Sequence, residues 1–173
     1  IEEETMIVTM SHEGYVKRIG LDTYKTQRRG GKGVRAAGMK DEDFIERLYV
    51  SSTHDYLLFF TNEGQVHWQK VYQLPEGSRQ AKGRHIRNII ELKEGEKVNA
   101  IIRVSDFNEG YLIMATKKGV VKKTELMDFS RPRKGGIRAI TLDEGDSLVK
   151  VRHSTGDNEI LLATKNGYAN RFK

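Results

Sequence analysis

Cysteine is absent from the chain, which removes disulfide frameworks, thiolate metal sites and thiol nucleophiles together. No apolar run approaches the roughly 18 residues that a membrane-spanning helix requires. The start, Ile1-Glu2-Glu3-Glu4, has neither a basic leader nor an apolar signal core, so the expectation is a cytoplasmic protein with no membrane partner. Helical periodicity is hard to find, and there are only two prolines. Metal-ligand spacing is missing as well, and His12, His54, His67, His85 and His153 read as surface or packing residues. No Ser/His/Asp arrangement emerges, and the acidic clusters sit on turns without a partner base. The sequence therefore predicts no catalytic residue, no metal, no cofactor and no small-molecule substrate.

What is present is internal repetition. With 37% hydrophobic and 31% charged residues among 173, the chain is globular yet too charged for one large core, so a thin, repetitive architecture fits better. Four segments align on one glycine: MIVTMSHEGYVKRI on Gly14, YLLFFTNEGQVHWQK on Gly64, YLIMATKKGVVKKT on Gly119 and EILLATKNGYANRFK on Gly167. Each runs from a β-rich apolar stretch through a polar pair into Gly and a second alternating stretch. That is the pattern of a hairpin whose glycine takes a positive φ.

A second pattern follows in three repeats: GKGVRA at Gly31 to Ala36, KGRHIRN at Lys82 to Asn88, and KGGIRA at Lys134 to Ala139. Acidic turns come next, Lys40 to Asp43, Lys93 to Glu96 and Asp143 to Asp146, each leading into another apolar stretch. One period of about 50 residues thus holds about four short strands, which predicts an all-β, propeller-like repeat of four-stranded blades. The repeats are expected at about 6–56, 57–110, 111–159 and an incomplete 160–173, about three and a half in all, as if cut from something longer. One blade cannot bury both its faces and must stack on neighbours.

Charge keeps step with the repeat. Residues 15–35, 65–87 and 120–138 together hold 18 Lys or Arg against 4 Asp or Glu, whereas 36–48, 88–99 and 139–149 hold 4 basic and 10 acidic residues. Solubility alone requires no common phase, so the same rim of every blade is predicted to be basic. The net charge of +6 points the same way, toward an anionic partner. The densest cluster, Thr26-Gln27-Arg28-Arg29-Gly30-Gly31-Lys32-Gly33, sets three cations among glycines whose backbone amides can approach an anion closely. It lacks the Gly-Lys-Ser/Thr of a nucleotide-binding loop.

The string QRRGGKG at Gln27 to Gly33 resembles, residue for residue, the signature box of the gyrase A C-terminal domain family. The resemblance continues through SHEGYVKR at Ser11 to Arg18, DEDFIERL at Asp41 to Leu48 and KVYQLPEGSR at Lys70 to Arg79, and covers essentially the whole chain. It implies a β-pinwheel, a propeller-like disc whose blades exchange strands, usually six blades, of which about half are present in this chain. It further implies a non-catalytic part of an ATP-dependent type IIA topoisomerase that binds and bends duplex DNA on its rim to support negative supercoiling. The box role then falls to Gln27, Arg28, Arg29, Gly30, Gly31, Lys32 and Gly33. The implied partners are duplex DNA, the gyrase B subunit, and the remainder of the gyrase A subunit.

Continuing the rim along the repeats adds Arg79, Lys82 and Arg84, then Arg131, Arg133 and Lys134. Cations on Gly-rich turns suit phosphates rather than base edges, so little sequence preference is expected. Trp68 and Tyr72 flank Lys70 and read as strand packing rather than base-stacking platforms. Two rival readings are the C-terminal domain of topoisomerase IV, which lacks an intact box, and a propeller-like scaffold whose basic rim takes acidic protein partners.

Overall fold

The computed structural model describes residues 1–29, 43–78, 80–156, 160–163 and 169–172. Its strands in chain order are β1 (Thr5–Ser11), β2 (Tyr15–Gly20), β3 (Ile45–Ser52), β4 (Tyr56–Thr61), β5 (Gln65–Lys70), β6 (Arg84–His85), β7 (Val98–Val104), β8 (Tyr111–Thr116), β9 (Val121–Glu125), β10 (Ile137–Arg138), β11 (Leu148–Ser154), β12 (Ile160–Ala163) and β13 (Ala169–Phe172). Among the described residues one α-helix, α1 (Leu21–Arg29), follows β2, and short 3-10 turns occupy Val71–Gln73, Ile86–Asn88 and Leu126–Phe129. The strands form sheets in the orders β3-β1-β2-β6, β10-β5-β4-β7, β11-β8-β9 and β12-β13. The fold is the expected all-β repeat of propeller-like blades; α1 is an addition that no apolar stripe announces.

Each hairpin is built in the same way. The amide of Gly14, Gly64 or Gly119 donates to the carbonyl three residues back, on Ser11, Thr61 or Thr116, at 3.0 Å. All three glycines have φ between +81° and +97°, a region that a side chain disfavours by about 1–2 kcal/mol. The Ser or Thr hydroxyl then accepts the amide after the glycine: Tyr15 onto Ser11 at 3.0 Å, Gln65 onto Thr61 at 3.3 Å, Val120 onto Thr116 at 3.0 Å. Gly167 lies outside the described residues.

The second motif supplies a fourth strand to the hairpin of the preceding repeat. His85 and Arg84 of β6 pair with Tyr15 and Val16 of β2, and the Ile86 amide donates to the Gly14 carbonyl at 2.8 Å. Arg138 and Ile137 of β10 pair with Gln65 and Val66 of β5, and the Ala139 amide donates to the Gly64 carbonyl at 2.8 Å. This register equates Gly83 with Gly136 and Arg84 with Ile137, one residue away from the alignment that the Lys-Gly pairs suggest. Backbone contact dictates it. A Cβ on Gly83 would stand 2.4 Å from the Val16 carbonyl oxygen, and one on Gly136 would stand 2.7 Å from that of Val66. In the third sheet, β9 has no such partner among the described residues.

The chain divides into two compact units, one of Ile1–Leu58, Trp68–Lys93 and Arg103–Ser105, the other of Phe59–His67, Glu94–Ile102 and Asp106–Lys173. In the first, Met6 to Met10 of β1 are all buried and join Val16, Ile19, Leu57, Leu74 and Ile86. A strand buried on both faces reads as a continuous apolar run rather than an alternation. In the second, Phe59, Phe60, Leu112, Met114, Leu126, Phe129 and Leu148 form the core, with Phe60 and Phe129 edge to face at 5.9 Å.

Candidate nucleic-acid interface

The predicted rim residues fall on helix, loop and strand. In the first repeat, Gly20 ends β2 and the chain turns into α1, with Asp22 in the first turn where a carboxylate suits the positive helix end. Gln27, Arg28 and Arg29 of the box are the last residues of α1 rather than part of a Gly-rich loop. Gln27 is half-buried. Gly30, Gly31, Lys32 and Gly33 lie outside the described residues.

In the second repeat, Arg79 also lies outside them. Lys82 is half-buried, with its ammonium 4.0 Å from the centroid of the Tyr15 ring, a cation–π contact that fixes its stem. Arg84 is exposed on β6, opposite Val16. Two residues that sequence reasoning passed over hold this segment. Arg18 of β2 receives the Glu76–Gly77 stretch by backbone bonds to Pro75 and Gly77 at 2.9 and 3.1 Å, and its Nε donates to the Leu74 carbonyl at 2.9 Å. Lys17 donates to the carbonyls of Ser78 and Ala81. Their signal was the position after the hairpin glycine, where basic residues were read as rim charge.

In the third repeat the 3-10 turn Leu126–Phe129 drives Leu126 and Phe129 into the core, each 2% exposed. The chain then emerges as Ser130 to Gly136, a turn closed by the Gly136 amide on the Arg133 carbonyl at 3.1 Å. Arg131, Arg133 and Lys134 are all exposed on it. Among the described residues, none of Arg84, Arg131, Arg133 and Lys134 has a carboxylate within 4.0 Å. Four exposed cations without acidic neighbours leave positive potential directed at solvent, which suits a polyanion.

The acidic turns are more than solvated charge, because the last acid of each pins a hairpin. Asp43 accepts the Glu13 and Phe44 amides at 3.0 Å, and Asp146 accepts the Lys118 and Ser147 amides at 2.9 Å. In the middle repeat the buried Glu96 accepts the Thr61 hydroxyl at 2.7 Å. Burial opposes ionisation of Asp43, but the Ser11 hydroxyl, the two amides and His12 outweigh it and hold the carboxyl below the usual carboxylate range. At Asp146 the same opposition is outweighed by the Thr116 hydroxyl, the two amides and the Lys118 ammonium, and its carboxyl is also held low.

The histidines are engaged in packing and turns. His12 stacks on Phe44 at 4.8 Å. His54 meets the Ile1 carbonyl at 2.9 Å, and His67 is buried. His85 accepts the Arg87 amide on Nδ1 at 3.2 Å and meets the Glu13 carbonyl through Nε2 at 2.9 Å. The His153 ring lies against Gly110. No group of three His, Asp or Glu fit to hold a metal occurs among the described residues, and no helix among them is long and apolar enough to cross a membrane. Trp68 is 8% exposed, buried in its strand and away from any base-stacking role. Tyr15, Tyr56 and Tyr111 begin β2, β4 and β8, and each carries a lysine ammonium, of Lys82, Lys70 and Lys123, at 4.0–4.2 Å.

Comparison with known proteins agrees with this geometry. A family model described as the DNA gyrase C-terminal domain, beta-propeller, matches residues 5–52, 55–105, 110–154 and 158–173. The DNA gyrase A protein of Fibrobacter succinogenes is 54% identical over 168 residues, covering 96% of this chain and 18% of that protein. Its counterpart from Salmonella typhimurium is 49% identical over 174 residues, covering all of this chain and 20% of that protein. The chain thus spans about a fifth of the curated relatives it matches. Among solved structures, the C-terminal domain of DNA topoisomerase IV superposes with a TM-score of 0.85 at 35% identity, covering 99% of this chain and 52% of that one. A DNA gyrase A C-terminal domain superposes at 0.57 and 24% identity over 97% of this chain and 71% of that one, a likeness of fold.

Proposed function

The chain belongs to the family of DNA gyrase C-terminal domains, and from that premise we propose that it binds duplex DNA through phosphates along its basic turns and bends it. In this reading it is a non-catalytic part of an ATP-dependent type IIA topoisomerase in the bacterial cytoplasm. It acts with the gyrase B subunit, together with the remainder of the gyrase A subunit, to support negative supercoiling. The box residues Gln27 to Gly33 and the rim residues Arg79, Lys82, Arg84, Arg131, Arg133 and Lys134 are the contacts. The observation that carries the reading is the set of exposed cations on β6 and on the turn before β10, Arg84, Arg131, Arg133 and Lys134, none of which has a carboxylate within 4.0 Å among the described residues. Cations held on turns reach phosphates and not base edges, so selectivity comes from how readily the DNA bends.

If about six to nine phosphates are neutralised, affinity falls by about 10³ to 10⁵ between 50 and 200 mM salt. The test pairs that titration with a topological one: a nicked plasmid is ligated around the protein and its linking number read, for wild type and for Arg28→Ala/Arg29→Ala/Lys32→Ala. A linking-number shift that the triple variant loses supports wrapping through the box. A flat salt response sinks the electrostatic contact itself. The TM-score of 0.85 to the topoisomerase IV domain favours a second reading, binding without box-dependent wrapping. It predicts tight, salt-dependent binding with no linking-number shift.

A further inference from the structure

Lys17 lies third after the hairpin glycine, on β2, and is 6% exposed. A lysine so buried cannot reach a ligand in solvent, and desolvating an ammonium is costly unless carbonyls or carboxylates receive it. Its Nζ donates to the Ala81 carbonyl at 2.7 Å and to the Ser78 carbonyl at 3.2 Å. Those two carbonyls belong to one turn, since the Ala81 amide donates to Ser78 at 3.1 Å. The turn is also pressed onto β2. A Cβ on Gly83 would sit 2.4 Å from the Val16 carbonyl oxygen and 3.0 Å from the Lys17 Cβ, and one on Gly77 would touch the Lys17 Cδ at 4.0 Å. Directly after the turn come Lys82, folded onto Tyr15, and Arg84, paired with Val16. The ammonium therefore grips, from the inside, the segment that carries the second repeat's cations.

The position recurs. His67, the third residue after Gly64, is 5% exposed and faces the matching turn, with its Cε1 only 2.7 Å from where a Gly136 Cβ would stand. At Lys122, third after Gly119, the pattern differs: the side chain is exposed and donates to the Ala139 carbonyl of its own repeat at 3.1 Å.

Resting on the DNA-binding reading above, we infer that Lys17 is a positioning residue for DNA contact: it touches no phosphate and sets the Ser78–Ala81 turn so that Lys82 and Arg84 meet the backbone together. Removing one buried ammonium then costs the contacts of two surface cations.

The test substitutes Lys17→Met, which keeps the stem and removes the donors, and reads two quantities. The first is amide hydrogen exchange at Ala81, expected to quicken at least tenfold while the thermal midpoint shows the protein folded. The second is duplex affinity against salt. The slope is expected to fall by about two contacts' worth, a loss of up to about sixty-fold at 0.1 M salt. In a Lys82→Gln/Arg84→Gln background the same substitution should cost less than twofold. Additive losses mean that Lys17 acts independently of those cations, and unchanged affinity in the folded variant means that its role is structural alone; either overturns the inference. Unchanged exchange at Ala81 overturns it without reference to DNA. If wild type binds no duplex yet K17M quickens exchange, the DNA reading falls and the grip on the turn stands. Lys17→Gln, which retains two N–H donors, covers the case in which Met is not tolerated, and should fall between wild type and K17M in both readouts.

Discussion

Alanine at the hairpin glycines distinguishes the cost of a turn from the cost of a displaced strand. Gly64 and Gly119 occupy equivalent turns, with φ of +81° and +90°, so Gly→Ala imposes the same left-handed strain at each, about 1–2 kcal/mol. Their surroundings differ. A Cβ at Gly64 would meet the Ile140 carbonyl oxygen at 2.6 Å and the Ile140 Cγ2 at 3.1 Å, whereas one at Gly119 would meet nothing within 4 Å among the described residues. Relieving the first clash must move Ile140 by several tenths of an ångström, against the 2.8 Å bond from the Ala139 amide and the 3.3 Å bond from the Ile140 amide to the Gly64 carbonyl. Each such bond contributes about 0.5–1.5 kcal/mol net. Gly119→Ala should therefore cost about 1–2 kcal/mol and Gly64→Ala about 2–4 kcal/mol. Urea unfolding reads the difference, and hydrogen exchange at Ala139 and Ile140 locates it, quickening only in the Gly64 variant. Equal losses in the two variants, with slow exchange at Ala139 in both, would refute the idea that the segment after β10 presses on this hairpin.

The acid limb of stability offers a second prediction. The folded carboxyls of Asp43 and Asp146 lie below their ordinary value of 3.8, so their contribution is full above that value and is lost as pH falls through the lower folded values. Asp146→Asn should lower the thermal midpoint at pH 7 and flatten its decline from pH 5 to pH 2; a variant as steep as wild type argues against the cap. Phe129→Ala removes a ring that is 2% exposed and packed on Phe60, and should cost about 3–5 kcal/mol in chemical unfolding. Arg131→Gln/Arg133→Gln/Lys134→Gln leaves the core untouched. It should shift the unfolding midpoint little and reduce the salt slope of duplex binding by about 2.7, measured by fluorescence anisotropy.

The hairpins were legible because a left-handed turn leaves little choice but glycine, and Gly14, Gly64 and Gly119 mark them directly. The exchanged strands were harder. Two residues, Arg84–His85 or Ile137–Arg138, are too short to show alternation, and their register is set by which glycine fits beneath a neighbouring carbonyl. Aligning the Lys-Gly pairs therefore misses it by one, and places Ile86 level with Arg138 where the sheet places His85. Helix α1 escaped notice because LDTYKTQRR offers only Leu21 and Tyr24 as apolar residues, too few for a 3.6-residue stripe. Of the rim, the exposure of Arg84 and of Arg131 to Lys134 followed the charge pattern. The retreat of Lys82 onto Tyr15 and the buried Lys17 did not, since both depend on a turn brought in from the next repeat.

That borrowed strand also sets a schedule for synthesis. Tyr15 waits for His85, and Val66 for Ile137, about 70 residues later in each case. At about 5–20 residues per second on a ribosome, each hairpin leaves the exit tunnel several seconds before the segment that completes its sheet. During that interval the outer edge of β2 or β5 is a bare template, open to any extended peptide nearby. The chain therefore matures in a fixed order from its first repeat onward, and a translational pause placed after a hairpin and before the next Lys-Gly motif would prolong the period in which nascent copies can pair with one another.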